Sequence, residues 1–214
     1  MPNIKSVFSV VGALFLVAAP SFAQDVWITA NTPFVELDLN DQFFVIERNP
    51  DNDAVVPAAF AKTSRACPPF CVQPLQVADG VETIAELELL DFLENAAQNG
   101  GGMLIDARTP GFYRAGTIPG SINLPFTLLT VGDNNPFLEP ILTRLGGVRL
   151  SGGGWSFADA KELALFCNGP WCGQSPRAIR NLLEVGYPPE KLKYYRGGMQ
   201  NWLMLGLTVV VPET

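Results

Sequence analysis

A chain of 214 residues with 21 acidic against 14 basic side chains carries a formal net charge of −7, which disfavours nucleic acid as a partner. It contains no histidine, so Ser-His-Asp and Cys-His catalysis and every histidine-ligated metal site are excluded together. The length suits one domain with an extension, and it can bury a core without staples.

Residues 1–23 combine Lys5, an apolar run from Val7 to Ala19 and the small-residue site Ser21, Phe22, Ala23. This pattern predicts a secretory signal peptide, since the run falls short of the about 20 residues a membrane span needs. A retained N-terminal anchor is the alternative. Loss of the peptide leaves 13 basic against 21 acidic residues. The mature chain is expected to be exported without a membrane span. The chain has no Asn-x-Ser/Thr acceptor site, which is compatible with a bacterial periplasm.

Residues 24–80 read as a small β-rich or irregular extension, with VWITA, FVELDL and QFFVIERN separated by NTP, ND and NPDND turn signals. ACPPFCVQP follows, where adjacent prolines prevent helix. Its Cys67 and Cys71, with Cys167 and Cys172, make up the four cysteines. An even count in an oxidising compartment points to structural disulfides, although the sequence leaves open whether Cys67 and Cys71 join. The spacing disfavours a four-cysteine zinc site, and neither metal nor cofactor is expected.

From residue 81 to 214 helices and strands alternate. A helix is predicted over Glu82 to Asn99, with Ile84, Leu87, Leu90 and Leu93 at helical spacing, before the buried strand MLIDAR. GFYRAG reads as a turn, SINLP as a strand, Phe137 to Leu145 as a helix and LALFC as a core strand. Ser175 is the expected N-cap of a helix reaching Val185, with Pro176 at its first position. KLKYY, GMQNWLML and TVVV complete the series as strand, helix and strand. The predicted class is α/β, a mainly parallel five-stranded sheet flanked by helices on both faces, with ligands beyond the carboxyl ends of the strands.

LALFC puts Cys167 at such an end, and FCNGPWCGQSPRAIRNLL carries the chain into a helix. A loop entering a helix N-terminus surrounds sulfur with unpaired N–H groups and a positive dipole end, which lowers a thiol pKa from about 8.5. Cys167 and Cys172 are therefore the candidate nucleophiles. Trp171 is placed to wall the pocket and Trp202 to fill the core. Asp106 and Arg108 read mainly as a loop-fixing pair, with Arg108 also able to face the cleft. Gly197 and Gly198 read as a tight turn before the last helix.

Three stretches in order, IDARTPGFYRAGTIPGSINLP, FCNGPWCGQSPRA and YYRGGMQNW, resemble the rhodanese-like sulfurtransferase domain family over roughly Glu82 to Val211. The resemblance implies the family's chemistry: a cysteine thiolate attacks the outer sulfur of a donor, a persulfide forms, and a thiol or cyanide removes it. By this resemblance Cys167 is the preferred persulfide carrier and Cys172 a candidate resolving thiol. Asn168, Gly169, Trp171, Gly173, Gln174, Ser175 and Arg108 are the candidate substrate-binding residues. The sequence departs from the family pattern in three ways. Cys167 precedes Ser175 by eight positions rather than about six, the loop carries no charge, and Thr117 stands where the family often has histidine. The uncharged loop makes thiosulfate a less secure donor, and Cys172, nearer the predicted helix start, remains an alternative nucleophile.

The sequence leaves three functions in competition. They are an exported sulfurtransferase of the thiosulfate:cyanide type acting on a small sulfur-containing donor and a thiol acceptor, a thiol-disulfide redox protein using Cys167 and Cys172, and a sulfur-carrier or binding module without turnover. Partners are otherwise undetermined, apart from a candidate exported protein docking on residues 24–80. A phosphatase is disfavoured because Gly173, Gln174 and Ser175 occupy the place of its oxyanion-gripping arginine.

Overall fold

The computed structural model describes residues 25–39, 41–132 and 134–212, so the proposed signal peptide lies outside the described residues. Strands β1 (Phe34–Leu39) and β2 (Gln42–Glu47) form an antiparallel hairpin. FVELDL alternates as a half-buried strand should, with Val35, Leu37 and Leu39 turned inward. VWITA contributes no strand, only a bridge between Thr29 and Thr32. A single helical turn, α1 (Ala58–Ala61), precedes the Pro-rich stretch.

The main sheet has five parallel strands, β3 (Glu82–Ile84), β4 (Gly102–Asp106), β5 (Ile122–Asn123), β8 (Glu162–Phe166) and β9 (Leu192–Tyr195). They are arranged in the order β3-β9-β8-β4-β5. Strands β6 (Val148–Arg149) and β7 (Trp155–Ser156) make a small separate hairpin. The helices are α2 (Glu86–Phe92), α3 (Pro110–Ala115), α4 (Leu138–Arg144), α5 (Gln174–Glu184) and α6 (Gly198–Met204). No helix among the described residues is long and apolar enough to cross a membrane.

Two apolar cores lie on opposite faces of this sheet. Leu163 and Leu165 of β8 point to one, with Ile179 and Leu182 of α5, while Ala164 and Phe166 point to the other, with Leu89 and Leu93 near α2, and Trp202 of α6. A strand buried on both faces has no polar positions to spare, which is why ELALF is apolar after its first residue. Val35, Leu37 and Ile46 of the hairpin belong to the second core. Each such side chain contributes about 1.5–3 kcal/mol through burial, so the extension is packed onto the sheet's helical layer.

Four further sequence expectations change. The helix predicted from Glu82 starts at Glu86, because Glu82–Ile84 pair with Lys193–Tyr195 and become an edge strand. TVVV is not the fifth strand; it keeps one bridge, Thr117 to Val210. GFYRAG is a helix rather than a turn, opened by Pro110 and ended by Gly116 at φ 142°. The N-cap position of α5 is Gly173, which places Ser175 inside the first turn. Gly186 at φ 91° ends that helix, with the Tyr187 N–H returning to the Leu182 carbonyl at 2.9 Å.

Candidate active site

Strand β8 delivers Cys167 to the carboxyl edge of the sheet, and residues 168–173 loop from there into α5. The first turn of α6 shapes that loop from outside, the N–H groups of Met199 and Gln200 donating to the carbonyls of Cys167 and Asn168, both at 3.0 Å. Carbonyls held outward leave amides turned inward. Gly198, at φ 56°, is required for this approach, because a Cβ there would lie 2.2 Å from the Cys167 carbonyl oxygen.

The Cys167 sulfur receives the Ser175 hydroxyl at 3.1 Å and the backbone N–H groups of Ser175 and Gly169. Burial pushes its pKa up, but hydrogen bonds from the Cys172 thiol, the Ser175 hydroxyl and amide, and the Gly169 amide outweigh it and lower the value from 9.0 to about 7. Cys172 moves the opposite way. Its thiol donates to Cys167, and burial adds to the raised pKa, although the Asn168 and Gln174 amides also face it. These directions run against the dipole argument for the alternative, Cys172, and their cause is the tertiary surroundings rather than distance along the chain to the helix.

A cavity of about 1110 Å³ opens above the loop. Asn168, Trp171, Cys172, Gly173 and Gln174 line it, whereas Cys167, Gly169 and Ser175 do not. Gly169 and Ser175 contact the Cys167 sulfur beneath the cavity floor. Both cysteines are buried, and of the two only Cys172 lines the cavity.

Arg108 reaches the cavity wall, yet its guanidinium is committed elsewhere: Nη2 meets Asp106 Oδ2 at 2.6 Å and the Gly116 carbonyl at 2.7 Å, and Nη1 donates to Asn168 Oδ1 at 3.2 Å. Thr117 completes the pair by donating to Asp106 Oδ2 at 2.8 Å. The position that resembles the family's histidine is thus structural. Trp202 is fully buried and donates to the Thr208 carbonyl at 2.8 Å. No group of three His, Cys, Asp or Glu suited to a metal occurs among the described residues.

Sequence reasoning missed the residues that reach the loop from the extension. Gln73 N–H donates to the Pro170 carbonyl at 2.8 Å, Phe70 meets Trp171 edge-on at 5.6 Å, and the Arg65 guanidinium sits 3.8 Å from a Trp171 ring centroid. Trp171 Nε1 donates to Gln200 Oε1 at 2.6 Å, and Gln200 donates on to the Phe60 carbonyl at 3.1 Å. Cys67 and Cys71 are joined, closing the turn that carries Phe70. The only local signal was an arginine two residues before Cys67 and a phenylalanine between the two cysteines.

The family model described as a rhodanese-like domain matches residues 88–205, more than half of the chain. The chain belongs to the rhodanese-like domain family. Strands β4, β5, β8 and β9 of this rhodanese-like domain fall inside the matched region, as do the loop and both of its cysteines. An HTH-type transcriptional regulator of Mycobacterium tuberculosis is 29% identical over 106 residues, covering 50% of this chain and 36% of the regulator. The chain thus spans about a third of that relative's length. Among solved structures, a human single-domain sulfurtransferase is 23% identical, with 57% of this chain and 96% of that one covered and a TM-score of 0.39. A thiosulfate sulfurtransferase from Pseudomonas aeruginosa is 19% identical, with 63% and 21% covered and a TM-score of 0.42.

Proposed function

We propose that this rhodanese-like protein is a sulfurtransferase that carries sulfane sulfur as a persulfide on Cys167. The observation behind the reading is the Cys167 sulfur, hydrogen-bonded by the Ser175 hydroxyl and by two backbone amides, with a pKa lowered to about 7. In the forward step the thiolate attacks the outer sulfur of a donor. A new S–S bond forms to Cys167, the donor's S–S bond breaks, and its electron pair leaves with the remaining fragment, sulfite when the donor is thiosulfate. The amides around the sulfur then stabilise the persulfide anion as they do the thiolate. A thiol or cyanide attacks the outer sulfur and returns Cys167 as thiolate. The Cys172 thiol must turn aside for a donor in the cavity to reach Cys167.

Intact-mass measurement tests this directly. Protein incubated with thiosulfate or a persulfide donor gains the mass of one sulfur, and Cys167→Ser abolishes both the adduct and thiocyanate production from cyanide. Retention of the adduct in Cys167→Ser sinks the assignment.

A second reading, thiol-disulfide exchange between Cys167 and Cys172, is favoured by the closeness of the two residues, the Cys167 Sγ lying 3.2 Å from the Cys172 carbonyl oxygen. Attack on a Cys167–Cys172 disulfide at the cavity-lining Cys172 would expel Cys167, the better leaving group because its pKa is lower. A two-proton mass difference between oxidised and reduced forms that persists in the Cys67→Ser/Cys71→Ser protein, with no sulfur adduct under any donor, selects it. A carrier module without turnover would form the adduct but release it to no acceptor.

The proposal extends to an exported, periplasmic protein. Its support is the signal-like composition of residues 1–23 and the Cys67–Cys71 bond, which is of a kind that persists in oxidising compartments. Cell fractionation with an antibody to the chain tests it.

A further inference from the structure

The cavity over the loop is larger and less polar than a small inorganic anion needs. Its volume of about 1110 Å³ lies just above the range of sites that hold drug-sized ligands, roughly 300–1,000 Å³. Phe60 and Phe70 wall it from the extension, and Phe112, Phe126, Met199 and Leu203 from the domain. Phe70 and Phe112 are still 42% and 46% exposed, so apolar surface remains for a ligand to cover.

Its charge is equally one-sided. In a chain of net charge −7, no Asp or Glu lines this cavity among the described residues, whereas Arg65, Arg108 and Arg177 do. Asp106 neutralises Arg108. Arg65 and Arg177 have no carboxylate within ion-pair distance among the described residues, and instead their guanidinium groups lie over Trp171 and Phe126, at 3.8 and 5.4 Å. Two buried polar atoms on lining residues lack partners, Arg65 Nε, a donor, and Gln174 Oε1, an acceptor. An unpaired buried group is costly, and neither atom is committed to a partner elsewhere among the described residues.

We propose that this cavity binds a thiol or sulfane-sulfur compound with an aromatic or branched apolar body and an anionic group, the body lying against the phenylalanines and the anion held by Arg65 and Arg177. The assignment of sulfur to the ligand rests on the sulfurtransferase reading; the apolar, anionic character rests on the cavity alone. Residues 57–73 of the extension act as a specificity strap, because Phe60, Arg65 and Phe70 supply one wall and the Gln73 amide and the Gln200 side chain tie that wall to the loop.

Calorimetric titration of the Cys167→Ser protein with 4-phenylbutyrate and with 4-phenylbutanol separates these contributions without turnover. The carboxylate is expected to bind at one site and about tenfold or more tightly than the alcohol, the usual weight of a charge-assisted hydrogen bond. Arg65→Gln should shrink that difference and Arg65→Gln/Arg177→Gln should erase it, and Phe112→Ala should weaken both ligands several-fold. Should Arg65→Gln fail to fold, Arg177→Gln on its exposed side chain serves the same purpose. No saturable binding at millimolar concentration, or equal affinities that Arg65→Gln leaves unchanged, overturns the proposal. A wild-type protein that takes sulfur from thiosulfate but does not bind phenylbutyrate keeps the transfer reading and loses this one; binding without any sulfur adduct does the reverse.

Discussion

The Ser175 hydroxyl donates to the Cys167 sulfur at 3.1 Å from inside the first turn of α5. Two residues eight apart in sequence thereby share one proton-poor pocket, and the serine serves the thiolate rather than the helix end.

Removing that hydroxyl should raise the Cys167 pKa. The thiolate form exists above its pKa, so alkylation by iodoacetamide should rise with pH through about 7 in the native protein and level off above it. Ser175→Ala forfeits a charge-assisted hydrogen bond of about 1.5–3 kcal/mol, equivalent to about one to two pH units. The alkylation midpoint should move up accordingly, and the rate at neutral pH should fall about tenfold or more. A midpoint that stays near 7 would show that the amides suffice without the hydroxyl.

Asp106 and Arg108 are both almost fully buried, at 0% and 1% exposure. Asp106→Asn leaves the guanidinium without its counter-charge in the interior, and such half-broken pairs cost about 3–5 kcal/mol. Urea denaturation should show a clearly lower midpoint. The Asn168 side chain, bound to the same guanidinium, should loosen with it, which would register as faster alkylation of Cys172.

Gly198→Ala should be among the most damaging small substitutions in the domain. The added methyl meets the Cys167 carbonyl at 2.2 Å while φ stays at 56°, and a residue forced into such a conformation costs of order 1–3 kcal/mol before any clash. Lower thermal stability should accompany loss of the depressed Cys167 pKa, since α6 holds the loop carbonyls outward. Gly152→Ala, with nothing within 4 Å of the new carbon, is the contrast and should change little.

Reducing the Cys67–Cys71 bond should affect the strap more than the fold. Its loop is short, with a sequence separation of 4, so chain entropy alone assigns it about 2 kcal/mol. Trp171, which Phe70 and Arg65 cover, should shift its fluorescence to the red in Cys67→Ser/Cys71→Ser, and Trp171→Phe identifies the signal. An unchanged spectrum would mean that Gln73 and Gln200 hold the strap without the bond.

Local sequence carries the chemical character of the site: two cysteines between an apolar strand and a helix, no histidine to assist them and no charge in the loop. It also determined the α/β order, because LALF, KLKYY and the helix after Ser175 are decided by local periodicity and composition. Tertiary structure decided what depends on partners remote in sequence. ETI became a strand only because Lys193–Tyr195 lay beside it, and TVVV lost its place because Thr117 offered it a single bridge. The hydroxyl and amides that face Cys167 reach it only because α5 and α6 close on the loop. Arg65 came to rest over Trp171 for the same reason. Periodicity reports which face of an element is buried, but it is silent on which buried faces will meet.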